Sequence, residues 1–277
     1  MPELPEVETV VRDLRKAGLE GRCIRDVRVR WSRLIAGCSP KSFAARIKYQ
    51  TIQEITRRGK YIIFQLSGGE TILVHLRMTG QFTLKAPATT RERHEHLVLS
   101  LDNGQELRYR DTRKFGRWHL TRHPEQILQK LGPEPLGRAF RLSQFTAHLA
   151  THRRLLKPLL LDQAFLAGLG NIYTDEALWE ARLHPRRRAE TLNQAEARSL
   201  FLAIRKILKR GIRYAGTSLG SGKSNFSGLK GRRGRHQEFL RVYQQTGEPC
   251  SRCGSLIRRL KIGQRSTHIC PTCQMDR

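Results

Sequence analysis

Acidic residues are scarce in this chain. Of 277 residues only 24 are Asp or Glu, against 52 Lys and Arg, which leaves a formal charge of +28 and a pI near 11.0. A solvated surface normally mixes both signs, so an excess of this size excludes an indifferent surface and draws a polyanion. Long apolar runs are missing too. Nothing approaches the ~20 consecutive apolar residues that cross a bilayer, and no signal peptide precedes the start. Nucleic acid therefore leads an anionic membrane as partner, and the expected protein is soluble and intracellular. Cysteine is sparse, at six residues. Cys23 and Cys38 look unpaired, while the other four are spaced for a metal rather than for disulfides. There is no internal repeat, and a chain of this length holds about two domains.

The first residues read Met1-Pro2-Glu3-Leu4-Pro5-Glu6. Removal of Met1, usual before a small residue, makes Pro2 a free secondary amine beside two carboxylates. Such an amine attacks a sugar carbon to give an iminium ion, an electron sink for bond breaking. The plainer reading is a helix start, with Pro5 in the first turn and Glu3 and Glu6 complementing the dipole. Leu4, Val7, Val10, Val11, Leu14 and Ala17 then recur at helical spacing until Gly18 and Gly21. Beyond them the period becomes two. Strands are expected at Val27–Trp31, Tyr61–Leu66, Thr71–Leu76, Leu97–Leu101, Glu106–Arg110 and Arg117–Leu120. Asn103-Gly104 between two of these predicts a type I′ hairpin. Strands in series without helices mean an antiparallel sandwich or barrel.

Leu131-Gly-Pro-Glu-Pro-Leu-Gly137 ends that pattern and marks a domain boundary. Helices follow over Phe145–Arg153, Pro158–Phe165, Ile172–Leu183 and about Gln194–Arg213, the last with Asn193 and Glu196 as a capping pair. Residues 215–236, rich in Gly, Ser, Lys and Arg, read as a mobile basic loop. In the tail, Cys250 and Cys253 are followed after sixteen residues by Cys270 and Cys273. Two such pairs deliver four thiolates to one tetrahedral zinc from a small β-hairpin, with no open position left for catalysis. Gly168-Leu-Gly-Asn171 before a helix offers backbone N–H groups and a side-chain donor to a phosphate, or is only a tight turn between helices. Met78 and Phe115, each near an arginine, suit wedges that fill the space of a flipped base, or are ordinary core beside a solvated charge. Lys60 is a phosphate ligand by type and a surface lysine by default.

Taken in order, Pro2-Glu-Leu-Pro-Glu-Val-Glu-Thr9, Arg-Arg-Gly-Lys60, His75-Leu-Arg-Met-Thr-Gly80, Arg113-Lys-Phe-Gly116, Leu131-Gly-Pro-Glu-Pro-Leu136, Gly168-Leu-Gly-Asn-Ile-Tyr173 and the four-cysteine tail resemble the bacterial formamidopyrimidine-DNA glycosylases over essentially the whole chain. The resemblance implies an α+β fold. An N-terminal antiparallel β-sandwich with its helix would span 1–132 and a linker 133–142. A helix–two-turn–helix domain with the basic loop would span 143–236, and a four-cysteine zinc-finger β-hairpin 237–277. It implies a bifunctional glycosylase and AP lyase that removes oxidised purines from double-stranded DNA as a cytoplasmic, nucleoid-associated monomer. Pro2 would form the Schiff base, Glu3 would move protons, and Glu6 and Lys60 would complete the catalytic group. His75, Met78, Arg113, Phe115, Asn171 and Arg265 would contact DNA, and one structural Zn2+ would sit on Cys250, Cys253, Cys270 and Cys273. Arg77 departs from the glycine common at its position in that family, which points to altered interrogation of the duplex or an added backbone contact. An endonuclease VIII-type enzyme acting on oxidised pyrimidines shares the Pro2 chemistry, but its opening differs from Leu4-Pro5-Glu6-Val7. A non-catalytic damage-binding protein is disfavoured by the intact Pro2, Glu3, Glu6, Lys60 and Asn171.

A charge of +28 predicts that affinity for duplex DNA falls steeply and linearly in a plot of log K against log salt, through counterion release. Fluorescence anisotropy across a salt series checks this, and a flat profile would contradict it.

Overall fold

The structure, a computed structural model, describes residues 1–87, 89–220, 226–229 and 231–276. It forms two compact units, Met1–Gln129 with Tyr214–Arg235, and Lys130–Arg213 with His236–Arg277. Among the described residues no helix is long and apolar enough to cross a membrane.

The first unit opens with α1 (Leu4–Lys16), whose Leu4, Val7, Val10, Val11 and Leu14 are all buried. Burying each such side chain contributes roughly 1.5–3 kcal/mol, which anchors the helix and the terminus ahead of it. The elements β1 (Ile24–Val29), β2 (Ile35–Ala36), α2 (Pro40–Ile47), β3 (Ile52–Arg58), β4 (Tyr61–Leu66), β5 (Thr71–His75), β6 (Gly80–Lys85), β7 (Glu95–Leu101), β8 (Glu106–Asp111), β9 (Arg117–Thr121) and α3 (Glu125–Leu128) follow. They make a four-stranded sheet, β1-β7-β8-β6, and a five-stranded sheet, β2-β9-β5-β4-β3. Pairing is antiparallel except between β2 and β9. Phe64 from one sheet and Phe82 from the other both meet Trp118, with centroids 6.4 and 5.6 Å away, in the expected sandwich core. Helix α1 lies against β3 and β4.

Five elements of this unit, β2, α2, β3, β6 and α3, lie outside the helices and strands expected from the sequence. In β3 the buried residues are Ile52 and Ile55. A register shift between Ile52 and Glu54 breaks the alternation that marks a strand. The β7–β8 hairpin forms, but not through a type I′ turn. Gly104 (φ +78°) is the residue in the left-handed region, and its N–H donates to the Leu101 carbonyl at 3.1 Å. This is a type I turn closed by a left-handed glycine, with Asn103 accepting from the Gln105 N–H through its side chain at 3.1 Å.

The second unit contains α4 (Leu142–Ala150), α5 (Leu156–Leu161), α6 (Asn171–Glu180), α7 (Gln194–Arg213) and the hairpin β10 (Arg258–Ile262) and β11 (Arg265–Ile269). The hairpin turns at Gly263 (φ +54°) and Gln264 (φ +65°), two positive φ angles in the pattern of a two-residue type I′ loop. Residues 133–142, expected as a linker, are packed instead. Pro133 accepts from the Ala167 N–H at 3.1 Å, Pro135 accepts from Arg205 at 2.9 Å, and Phe140 stacks on Phe201 at 4.8 Å.

The basic segment 215–236 also differs from a free loop of the helical domain. Its described residues up to Arg235 belong with the first unit, where the Leu229 N–H donates to Asp13 at 3.1 Å and Leu229 and Phe226 join the sandwich core. The few apolar residues in a Gly- and Arg-rich stretch therefore hold its ends. The expected mobility at residues 221–225 and 230 lies outside the described residues.

Asn193 and Glu196 form a full capping box, with Glu196 N–H donating to Asn193 at 2.9 Å and Asn193 N–H to Glu196 at 3.0 Å. Replacing Asn193 by Ala is expected to cost about 1 kcal/mol, read as a lowered urea midpoint.

Candidate active site and nucleic-acid contacts

Pro2, Glu3 and Glu6 lie at the head of α1, and all three are buried although both glutamates are charged by type. The Glu3 N–H donates to Glu6 Oε2 at 2.8 Å and the Thr217 N–H to Glu6 Oε1 at 2.7 Å. Glu6 thus ties its own helix start to a chain segment more than two hundred residues away. Gly216 is required in this approach. Its φ is +79°, and a Cβ there would stand 2.8 Å from Glu6 Oε1. Met1, in contrast, is 49% exposed. Glu8, further along α1, accepts from Arg12 at 2.8 Å and Arg57 at 3.1 Å. Burial alone would raise its carboxyl, and these two guanidiniums hold it below the usual range.

Lys60 occupies the turn between β3 and β4 and is 5% exposed, so it is not the surface lysine that its type favours. His75 pairs with Tyr61 across β4 and β5 and meets that ring edge-on at 5.0 Å. Burial first, then the charges of Arg77 and Lys60, push the His75 imidazole down to about 3. The ring is therefore neutral. Its Nδ1 accepts the Arg77 N–H at 3.0 Å, which leaves the proton on Nε2 as a donor. Arg77 itself has φ +53°, in the left-handed region, which accounts for glycine suiting this position.

Met78, Arg113 and Phe115 come together from two loops. Arg113 lies over the Phe115 ring at 4.7 Å and donates to Met78 Sδ at 3.0 Å. Met78 and Phe115 are among the few exposed large apolar side chains, at 41% and 47%, so neither is ordinary core. Asp111 organises both loops. Fully buried, it accepts from the Thr79 hydroxyl, from the Arg113 N–H at 3.2 Å and from the Gly116 N–H at 2.7 Å. Sequence reading missed Asp111, although an Asp at a strand end shortly before a glycine is a signal for a turn held by the side chain.

In the second unit Asn171 is the first residue of α6, and its side-chain amide donates to the Ser266 carbonyl at 2.9 Å. This bond links Asn171 to the β11 residue beside Arg265, whose side chain is exposed next to the hairpin tip. The Ser266 carbonyl also accepts from Lys157 at 3.2 Å. Lys157 is fully buried and pairs with Asp175, which in turn accepts the His268 N–H at 3.0 Å. Lys157 and Asp175 were not found from sequence, because a lysine and an aspartate in a basic helical region read as surface residues.

Cys250, Cys253, Cys270 and Cys273 gather with all four sulfurs within 4.8 Å of one another. The facing pairs are 4.0 Å (Cys250 and Cys273) and 3.3 Å (Cys253 and Cys270) apart. Backbone N–H groups of Arg252 and Cys273 point at the sulfurs of Cys250 and Cys270, at 3.5 and 3.4 Å. An all-sulfur set in two such knuckles fits one structural zinc ion and leaves no position for substrate.

A helical unit ending in a four-thiolate hairpin defines a helix–two-turn–helix protein with a zinc finger. Family models agree along the chain: the Formamidopyrimidine-DNA glycosylase N-terminal domain over residues 1–118, the Formamidopyrimidine-DNA glycosylase H2TH domain over 131–222, and the zinc finger found in FPG and IleRS over 247–274. Formamidopyrimidine-DNA glycosylases of Protochlamydia amoebophila and Herpetosiphon aurantiacus are 47% and 48% identical to it. The alignments cover 99% of this chain in both cases, and 99% and 100% of those proteins. A Lactococcus lactis Fpg variant in complex with DNA containing Fapy-dG superposes with a TM-score of 0.92 at 38% identity. It matches 99% of this chain and 100% of that one. The L. lactis enzyme with DNA containing an abasic site gives 0.91 at the same identity and coverage. The chain belongs to the formamidopyrimidine-DNA glycosylase family.

Because folded His75 titrates near 3 and an unfolded His near 6.5, the unfolded state binds the extra proton between these values. Stability is therefore lost as pH falls from about 6.5 towards 3. His75→Gln is expected to make this acid limb shallower in urea titrations at a series of pH values.

Proposed function

We propose that this chain is a bifunctional DNA glycosylase and AP lyase of base excision repair. It removes oxidised purines such as 8-oxoguanine and formamidopyrimidines from duplex DNA, working as a cytoplasmic monomer on nucleoid DNA. The observation that carries the reading is the buried, doubly held terminus, in which Pro2 heads a helix whose Glu6 is fixed by two backbone N–H groups. A nucleophile needs such a fixed place, since a loose chain end would not present it in one geometry. The relatives bound to Fapy-dG and abasic-site DNA support the substrate class.

The Pro2 nitrogen, freed by loss of Met1, attacks C1′ of the damaged nucleotide. The N-glycosidic bond breaks and the base leaves with its bonding pair and a proton. Ring opening of the sugar gives the iminium form of the Schiff base. Glu3 moves protons at this centre, and Glu6 orders the terminus. The iminium makes the C2′ proton acidic. Its removal expels the 3′ phosphate, and a second elimination expels the 5′ phosphate. Lys60 and His75 donate to phosphate on the first unit, and Asn171 and Arg265 on the second. Met78 and Phe115 fill the vacated duplex space, Arg113 addresses the orphaned base, and Arg77 adds charge beside Met78. Zinc on the four cysteines stiffens the hairpin that carries Arg265 and takes no part in bond breaking.

Borohydride reduction during reaction with duplex DNA containing 8-oxoguanine opposite cytosine is expected to trap a covalent adduct, and Pro2→Gly to abolish or sharply reduce it. No adduct from the wild type would remove the enzyme reading, and a preference for oxidised pyrimidine would move the chain to endonuclease VIII-type chemistry. While Met1 remains, the Pro2 nitrogen is an amide. Intact mass of fully active protein is therefore expected to lack one methionine, and its retention would refute the Pro2 mechanism.

A further inference from the structure

Helix α6 meets the zinc hairpin and its flanks through polar groups four residues apart. Asn171 donates to the Ser266 carbonyl at 2.9 Å, and Asp175 accepts from the His268 N–H at 3.0 Å. Four residues further, Trp179 packs in one buried cluster with Cys250, Cys270, Val242 and Ile257. Positions i, i+4 and i+8 share a helix face, so the three residues form one seam along the hairpin. The first two steps of the seam are hydrogen-bonded. The third is incomplete: the indole Nε1 of Trp179 is buried without a well-formed hydrogen bond, the group it faces is the Cys250 thiol, and the residue is 5% exposed.

A buried indole N–H normally has an acceptor. In this cluster the candidate acceptors are sulfurs. A neutral thiol accepts weakly, whereas a metal-bound thiolate carries negative charge and accepts strongly. The knuckle holding Cys250 sits on Trp179. The Arg252 N–H donates to Cys250 Sγ at 3.5 Å, the Arg252 guanidinium lies over the Trp179 ring at 4.0 Å, and the same group donates to the Trp179 carbonyl at 2.9 Å.

We propose that Trp179 is a positioning residue of the zinc site, donating its indole N–H to the Cys250 thiolate once zinc is bound. This bond completes the α6 seam. Zinc occupancy is then coupled through a single helix to the Asn171–Ser266 contact at the other end, and so to the strand that carries Arg265. Groups that hydrogen-bond to metal ligands orient them and are worth about 10–100-fold in metal affinity. The inference rests on the zinc site alone and stands or falls apart from the Pro2 chemistry.

Trp179→Phe keeps the ring and removes the N–H. Zinc affinity by chelator competition is expected to fall about tenfold or more, and the sulfur-to-metal charge-transfer bands of the Co2+-substituted protein are expected to shift. Unchanged affinity together with unchanged bands would overturn the proposal. Should the variant fail to fold, the wild type still decides. In 113Cd-substituted full-length protein one of the three indole N–H protons is expected to show scalar coupling to the metal through the thiolate. No coupled indole proton would overturn the proposal, and a coupled one supports it. In zinc-loaded Trp179→Phe that does fold, amide exchange at Ser266–His268 is expected to quicken relative to zinc-loaded wild type, and equal rates would refute the coupling along α6.

Discussion

The carboxylate of Glu6 holds the first unit's working end in place. Its two oxygens receive N–H groups from the start of its own helix and from Thr217. A buried carboxylate is costly unless its lone pairs are occupied, so the burial that excludes water here also enforces the geometry. The hydrophobic stripe of α1 fixes where the helix lies, and Glu6 fixes where the chain ahead of it points. Without that carboxylate, the Glu3 and Thr217 N–H groups beside Pro2 would each lose an acceptor.

Buried ionic groups do similar work in the second unit. Lys157, Asp175 and Glu176 are all fully buried, and each is satisfied by backbone groups or by one another. Glu176 accepts N–H groups from Arg241, Val242 and Tyr243, all at about 3.0 Å. Such a network does not add much net stability over an apolar equivalent, but its directional bonds leave one register open to the hairpin. Apolar packing alone would let a hairpin of two five-residue strands slide.

How much of this was legible depended on whether the signal was local. The N-terminal helix, most strands and the Asn193 cap rest on residues a few positions apart, the metal site rests on two such close pairs, and each is where its pattern puts it. The strand β3 was not, because a register shift destroys its period. The hairpin at Asn103 was legible and its turn type was not, since Asn adopts either sign of φ and only the bulge geometry selects one. The exposure of Met78 and Phe115 was open from sequence, for an apolar residue beside arginines reads equally as wedge or core. The pairs Glu6–Thr217 and Asp175–His268 span most or much of the chain and leave no mark in any window. The same holds for residues 214–235, whose composition reads as loop while Leu229 and Phe226 carry its packing.

That last segment has a consequence for how the protein is made. The chain leaves the first unit after Gln129, completes helices α4 to α7 of the second, and returns over Tyr214–Arg235, where the Arg235 N–H closes onto the Tyr214 carbonyl at 2.8 Å. A ribosome therefore releases the sandwich strands long before Thr217 exists. During that interval Glu6 lacks the Thr217 N–H, and the side chains that Leu229 packs against lack that cover. The sandwich is therefore complete only once a segment encoded roughly two hundred codons after its terminus has packed back onto it. The order of synthesis thus delays the completion of the Pro2 surroundings until helices α4 to α7 have already emerged.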